Sequence, residues 1–172
     1  RVGLKSQYYL DSGVFGCLGV GVPYAIAASK VFKNKKIICV TGDGSFGFNA
    51  MELDTAVKNK SDICVIISNN GGWNIEKHDQ RLNYGNRVYA TNLPHCDYAA
   101  LAISLGAFGI RVNDPEKLEK SLIKALKNTP SVVDVITSSS ILSSDAIKGL
   151  GFVPKYQALD VWDDMEIDFR KK

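Results

Sequence analysis

The sequence predicts an α/β fold, a parallel sheet with helices on both faces. Three observations predict it. Short apolar runs rich in β-branched residues, Lys36 to Thr41, Asp62 to Ser68 and Ser131 to Ile136, alternate with segments of helical period. These runs are apolar on both faces, as strands covered by helices on each side require. The first run leads directly into Gly42, Gly44 and Gly47, spelled G-x-G-x-x-G. In such sheets ligands bind beyond the carboxyl ends of the strands.

The elements follow in order. Pro23 to Phe32 reads as a helix, with proline in its first turn and alanines suited to close packing. Lys33, Lys35 and Lys36 form a solvated turn before the first strand. Phe46 to Lys58 reads as one helix, because Phe46, Asn49-Ala50, Leu53 and Ala56-Val57 recur at helical spacing. Asp62 to Ser68 is the second strand. Residues 71–94 are polar, aromatic and Gly-containing, a long loop with room for a short helix. Asp97 to Leu105 is helical and ends near Gly106. Gly109 to Val112 is a short strand. Asp114 caps a helix that starts at Pro115 and runs to about Lys127. Ser131 to Ile136 is the last strand. Residues 1–140 are therefore expected to form one domain. Residues 141–172, Ser-rich and then acidic and aromatic, form a tail packed on it or on a partner.

Composition narrows the function. The chain has 172 residues, of which 45% are hydrophobic and 23% charged, enough for a packed core and too apolar for a disordered segment. The net charge is +3 and the basic residues are scattered, which argues against nucleic-acid binding. The apolar stretch from Val14 to Ala28 is rich in glycine and carries Pro23, so no membrane span or signal peptide is expected. Cys17, Cys39, Cys64 and Cys96 form no C-x-x-C pair, and reduced, buried thiols in a cytoplasmic protein are expected. Residue 1 is Arg, and no complete element precedes the Gly-rich segment. A domain truncated at its start is the corresponding expectation.

Asp43 decides what the glycines bind. A dinucleotide site needs an acidic residue at the end of the second strand, and this strand ends in Asn69-Asn70. A bare carboxylate at Asp43 would also repel a diphosphate. Two like charges ~4 Å apart cost about 1 kcal/mol in water and several times that near a protein surface. A cation between them turns repulsion into attraction. Every donor on offer is oxygen, so the cation is hard, and magnesium fits best. Asp43 supplies a charged ligand, and an amide oxygen of Asn69 or Asn70 a second. A backbone carbonyl of Gly71 or Gly72 supplies a third. The glycines let the backbone approach the phosphates, and a helix beginning near Ser45 directs its free N–H groups at them.

Gly42-Asp43-Gly44, 24 residues from Ser45 to Ser68, then Asn69-Asn70 resembles the diphosphate signature of thiamine-diphosphate enzymes. Residues 12–28, S-G-V-F-G-C-L-G-V-G-V-P-Y-A-I-A-A, resemble the Gly-rich stretch of 2-oxo acid decarboxylases and acetolactate synthases. Asn69 to Glu76, N-N-G-G-W-N-I-E, resembles a stretch of pyruvate-decarboxylase-like enzymes. The resemblance covers nearly the whole chain and implies thiamine diphosphate and Mg2+ as cofactors. It implies metal ligation by Asp43, Asn70 and the Gly72 carbonyl. Gly42, Gly44 and Ser45 would line the diphosphate. Leu18 would pack beneath a bent cofactor, with backbone atoms of Gly16 and Leu18 bonding its aminopyrimidine. Ile75 would line the site, and Glu76 would be the catalytic residue that handles a proton or the leaving carboxylate.

The implied activity is decarboxylation of a 2-oxo acid, as in benzoylformate or pyruvate decarboxylases. Alternatives are acetolactate synthase-like carboligation and oxalyl-CoA decarboxylation, since F-G-F-N-A-M-E is similar to a stretch of that branch. Outside the family stand a nicotinamide-binding dehydrogenase domain and a non-catalytic paralogue. The implied partners are a homologous pyrimidine-binding domain, which carries an activating glutamate, and further copies in a homodimer or homotetramer. The isolated 172-residue chain is expected to lack turnover. His78, Asp79 and Arg81 are expected at the surface, Lys60, Lys117 and Lys120 in solvent, and Trp73 and Tyr84 over the diphosphate region or an interface.

Overall fold

A computed structural model describes residues 8–142 together with Ser144, Asp164 and Asp168. The chain divides into two compact units, Arg1–Gly71 with Pro94–Thr137, and Gly72–Leu93 with Ser138–Lys172. The expected tail, residues 141–172, lies almost entirely outside the described residues.

The first unit is a parallel α/β sheet. Its helices are α1 (Gly21–Val31), α2 (Asp43–Phe48), α3 (Glu52–Lys58), α5 (Tyr98–Ser104) and α6 (Leu118–Lys127). Its strands are β1 (Ile37–Gly42), β2 (Ile63–Asn69), β3 (Phe108–Val112) and β4 (Ser131–Ile136), in the order β1-β2-β4-β3 and all parallel. The second unit contains α4 (Asn74–Asn83).

Alternation along the strands splits the core in two. Ile63, Val65 and Ile67 of β2 and Val132 of β4 join Val22, Ala25, Leu53, Ala56 and Ala102 of α1, α3 and α5 on one face. Cys64 of β2, Val133 of β4 and Val112 of β3 join Ala125 of α6 on the other, with Ile66, Leu118 and Leu122 packed around them. Helices thus cover both faces over β2 and β4. At β1 the expectation fails on one side. Cys39 is buried beneath α1, but Ile38 is 53% and Val40 73% exposed. The sheet order makes β1 an edge, and α6 packs on β2, β3 and β4.

Two further expectations need correction. The helix over 46–58 is two helices broken at Asn49–Met51, because the Asn49 amide is drawn off to donate to the Gly19 carbonyl (2.9 Å). Gly47, a poor helix former, weakens the same turn. The segment from Pro115 begins as a 3-10 turn, Pro115–Lys117, capped by Asp114. The short helix expected in the loop over 71–94 is the ten-residue helix α4. The remaining strands and α1, α5 and α6 match the sequence reading to within about two residues.

Candidate functional site

The carboxyl ends of β1 and β2 are neighbours, with Gly42 in register with Ser68. Gly42 is at once the last residue of β1 and the N-cap of α2. The chain therefore turns from strand to helix with no linker, and Asp43, not Ser45, opens the helix. Its carboxylate lies in the first turn, where the helix dipole favours negative charge. Asp43 is only 1% exposed, and a charge so placed needs partners. Gly71, just past β2, donates its N–H to Asp43 Oδ2 at 2.9 Å. Tyr98, at the start of α5, aims its hydroxyl at the Asp43 carbonyl at 3.4 Å. Burial, followed by the charges of Cys96 and Asp43, pushes the Tyr98 phenol up to about 12, so it stays a neutral donor.

The two asparagines are unequal. Asn69 is fully buried. Its Nδ2 donates to Asp134 Oδ1 (2.9 Å) and to the Cys96 carbonyl (3.0 Å), and its Oδ1 accepts from His95 Nδ1 (3.1 Å). That side chain is committed inside the fold. Asn70 follows directly after the end of β2. Asp134 is itself fully buried and also accepts from the Tyr98 N–H (3.2 Å). Burial pushes its pKa up, with Asn69 and then Arg111 acting in the opposite direction.

The Gly-rich segment is tied to the same corner. Gly19 donates its N–H to Ser45 Oγ (3.1 Å) and accepts from the Asn49 amide. Gly19 has φ +80°, and a Cβ there would lie 2.8 Å from the Phe48 Cβ, so only glycine fits. Gly16 ends a short 3-10 turn, Gly13–Phe15, in left-handed conformation. Leu18 is 49% exposed, and Val14 and Phe15 are more so. The structure therefore brings Gly42, Asp43, Gly44, Ser45 and Asn70 to the strand ends and ties the Gly16–Leu18 stretch to Ser45 through Gly19.

Gly72, Ile75 and Glu76 belong to the second unit. There Gly72 bridges Asn92, and Trp73 donates its N–H to the Thr91 carbonyl (2.9 Å), pinning the two ends of the segment together. A Cβ on Gly72 would lie 2.8 Å from the Thr91 carbonyl. Ile75 and Glu76 occupy the first turn of α4 and are exposed. Lys77 and His78 on the same helix are buried, which corrects the surface position expected for His78. Burial, then the charges of Arg81 and Lys77, pulls the His78 pKa down.

The donors in the first unit suit magnesium with a diphosphate. They are one buried carboxylate and amide or carbonyl oxygens, all hard, beside a backbone free of bulk. Among the described residues no group of three or more His, Cys, Asp or Glu side chains could hold a metal. An ion here would depend on the diphosphate for most of its negative charge. His95 was missed by the sequence reading, since no motif marks it and its partners are distant. Of the four cysteines, all free, Cys39 and Cys64 are buried as expected, whereas Cys17 and Cys96 are exposed. Among the described residues no helix is long and apolar enough to cross a membrane.

Comparison with known proteins agrees with this geometry. Residues 3–135 match the family profile described as thiamine pyrophosphate enzyme, C-terminal TPP binding domain. A probable acetolactate synthase of Mycobacterium bovis is 40% identical over 134 residues, 77% of this chain and 24% of the relative. The 2-hydroxyacyl-CoA lyase 1 of Homo sapiens is 34% identical over 144 residues, 76% of this chain and 25% of the relative. The chain thus spans about a quarter of the length of these curated relatives. The crystal structure of benzoylformate decarboxylase from Polynucleobacter necessarius matches with a TM-score of 0.67, over 74% of this chain and 25% of that one. At 23% identity that likeness speaks for the fold. With a G-D-G turn and an N-N pair at adjacent strand ends, and with the profile spanning the sheet that carries them, the chain belongs to the thiamine pyrophosphate enzymes, as their C-terminal TPP binding domain.

Proposed function

We propose that this chain holds the magnesium–diphosphate end of thiamine diphosphate in an enzyme that decarboxylates a 2-oxo acid. The observation that carries the reading is the buried Asp43 carboxylate at the end of β1, held by the N–H of Gly71 just beyond β2. A carboxylate buried that deeply at a strand end, beside glycine backbone, matches a cation bridging it to an anion.

In this reading Asp43 and Asn70 ligate Mg2+, together with the Gly72 carbonyl that the family motif assigns. Gly42, Gly44 and Ser45 leave backbone room for the diphosphate. Gly16 and Leu18 meet the aminopyrimidine, with the exposed Leu18 side chain offering apolar surface. Ile75 lines the substrate side, and Glu76 holds or moves a proton there. The cofactor supplies an electron sink for the pair left when carbon dioxide departs. The protein orients it and shields the site from water. A homologous pyrimidine-binding domain completes the site, within a homodimer or homotetramer, so the 172 residues alone do not turn over. Carbon dioxide release by the purified chain would refute that last point.

A second reading is acetolactate synthase-type carboligation, favoured by the 40% identity to the mycobacterial protein. Both readings begin with loss of carbon dioxide from a 2-oxo acid, and the product separates them. Pyruvate, benzoylformate and oxalyl-CoA are offered to the complete protein, and aldehyde, acetolactate or formyl product is measured. Calorimetric titration tests the site itself. Thiamine diphosphate binding should require magnesium and should fall at least a hundredfold in Asp43→Asn, roughly the loss of one charge-assisted ligand. That variant keeps an acceptor for Gly71, so unchanged affinity would reject the site.

A further inference from the structure

His95 lies on the segment between α4 and α5, within the first unit, and no motif touches it. Its ring contacts Asn69 and lies against Gly71. The Asn69 amide determines the chemistry of the contact. The Cys96 carbonyl and the Asp134 carboxylate both accept from Asn69, so Nδ2 must face them. Oδ1 is then left facing His95, and it can only accept. His95 Nδ1 must therefore carry a proton and donate it (3.1 Å).

The far end of the imidazole rests over Gly71. A Cβ at Gly71 would lie 2.8 Å from His95 Nε2 and 3.0 Å from Cε1. Gly71 also has φ +68°, which side chains disfavour. The residues form a closed circuit. Asp134 orients Asn69, Asn69 orients His95, and His95 covers Gly71. Gly71 donates to Asp43, whose carbonyl faces Tyr98, and the Tyr98 N–H returns to Asp134. Five of its six residues come from the strands β2 and β4, the turns after β1 and β2, and the start of α5. His95 is exposed and lies on the segment between α4 and α5.

We propose that His95 is a positioning residue for the diphosphate-holding turn Asn69-Asn70-Gly71. By donating to Asn69 and covering Gly71, it fixes the Gly71 N–H on Asp43 and so presets the direction of the adjoining Asn70 side chain. This rests on the reading of Asp43 and Asn70 as the metal site. It adds a residue that neither coordinates the ion nor meets the cofactor.

The test uses the complete protein and two variants. His95→Leu fills space without a donor. His95→Asn places an amide N–H close to the position of the lost Nδ1–H. The first readout needs no cofactor, being amide exchange over residues 68–73 by mass spectrometry. In His95→Leu, exchange at Gly71 should quicken about tenfold, the worth of one hydrogen bond, while peptides from β2 and β4 stay as protected as before. The second is magnesium-dependent thiamine diphosphate affinity, which should weaken about tenfold in His95→Leu and return to within about threefold of the parent in His95→Asn. Parent-like exchange and affinity in His95→Leu would overturn the proposal. So would loosening of the whole sheet, or a His95→Asn variant as impaired as His95→Leu. If the parent protein bound no magnesium–thiamine diphosphate, the functional reading would fail. The exchange result would still decide whether His95 holds the turn.

Discussion

Asn69 and Asn70 are the same side chain in different surroundings, and residue-scale energetics follow from that difference. Asn69 satisfies a buried carboxylate, a carbonyl and an imidazole at once. Asn69→Ala would leave Asp134 short of a donor in a site without water access, and a stranded buried acceptor costs more than the bond itself. The expected loss is about 2–4 kcal/mol of unfolding free energy, read from the denaturant midpoint. The thiols divide as sharply. Burial, then the nearby Cys64, raises Cys39 to about 11, and burial likewise raises Cys64. Cys17 and Cys96 are exposed. Brief iodoacetamide treatment at pH 7.5 should label Cys17 and Cys96 and spare Cys39 and Cys64, because only an accessible thiolate reacts. Peptide mass spectrometry checks it. The sequence made Asp43 legible because its meaning is local, a charge between two glycines after a strand. The task of Asn69 was not legible, because its partner Asp134 lies 65 residues away and reads in sequence as one polar residue in an apolar strand.

At the scale of elements, periodicity served where packing obeys it. β2 and β4 are buried on both faces, and their largely apolar runs say so. β1 carries the same kind of run yet exposes Ile38 and Val40, since being an edge is a matter of topology and not of composition. The helix after Asp43 breaks because Asn49 turns toward Gly19, a contact 30 residues distant. Gly109 shows what close packing demands. A Cβ there would sit 2.1 Å from the Ala99 carbonyl, so the backbone of α5 lies directly on β3. The contacting atoms are main chain and cannot swing aside. Gly109→Ala should therefore push α5 off the sheet and cost about 3 kcal/mol, the upper end for overpacking. The same exchange at Gly47, where a Cβ meets nothing within 4 Å, should be neutral or slightly stabilising. Denaturation midpoints of the two variants, compared side by side, test the contrast, and equal effects would contradict it.

For the molecule as a whole, the accessible test is how stability depends on pH. Among the described residues, three shifted groups bear on acidification. Burial opposes the charge on Asp62, but hydrogen bonds from Lys36 and Thr129 and the Lys36 charge outweigh it and leave the pKa lowered. Asp134 is raised, with burial the main cause. Asp62 acts below the ordinary carboxylate value and Asp134 above it, in opposite directions. His78 acts nearer neutrality. Its folded pKa lies below the 6.5 of the free side chain, first through burial and then through the charges of Arg81 and Lys77. Between those two values the unfolded chain binds a proton that the folded chain refuses, so stability falls as pH drops below about 6.5. The contribution is fully present above 6.5 and is lost as pH falls through the depressed folded value. Thermal unfolding between pH 7.5 and 5.5 should therefore show a falling midpoint, steepest below 6.5. His78→Leu removes the titrating ring and the buried Nε2, which has no hydrogen-bond partner among the described residues. The variant should be less sensitive over that range. Because Lys77 and Arg81 supply part of the shift, Arg81→Gln should flatten the slope partway. A parent protein with a level midpoint from pH 7.5 to 5.5, or a His78→Leu variant as pH-sensitive as the parent, would show that the imidazole is not held neutral in the fold.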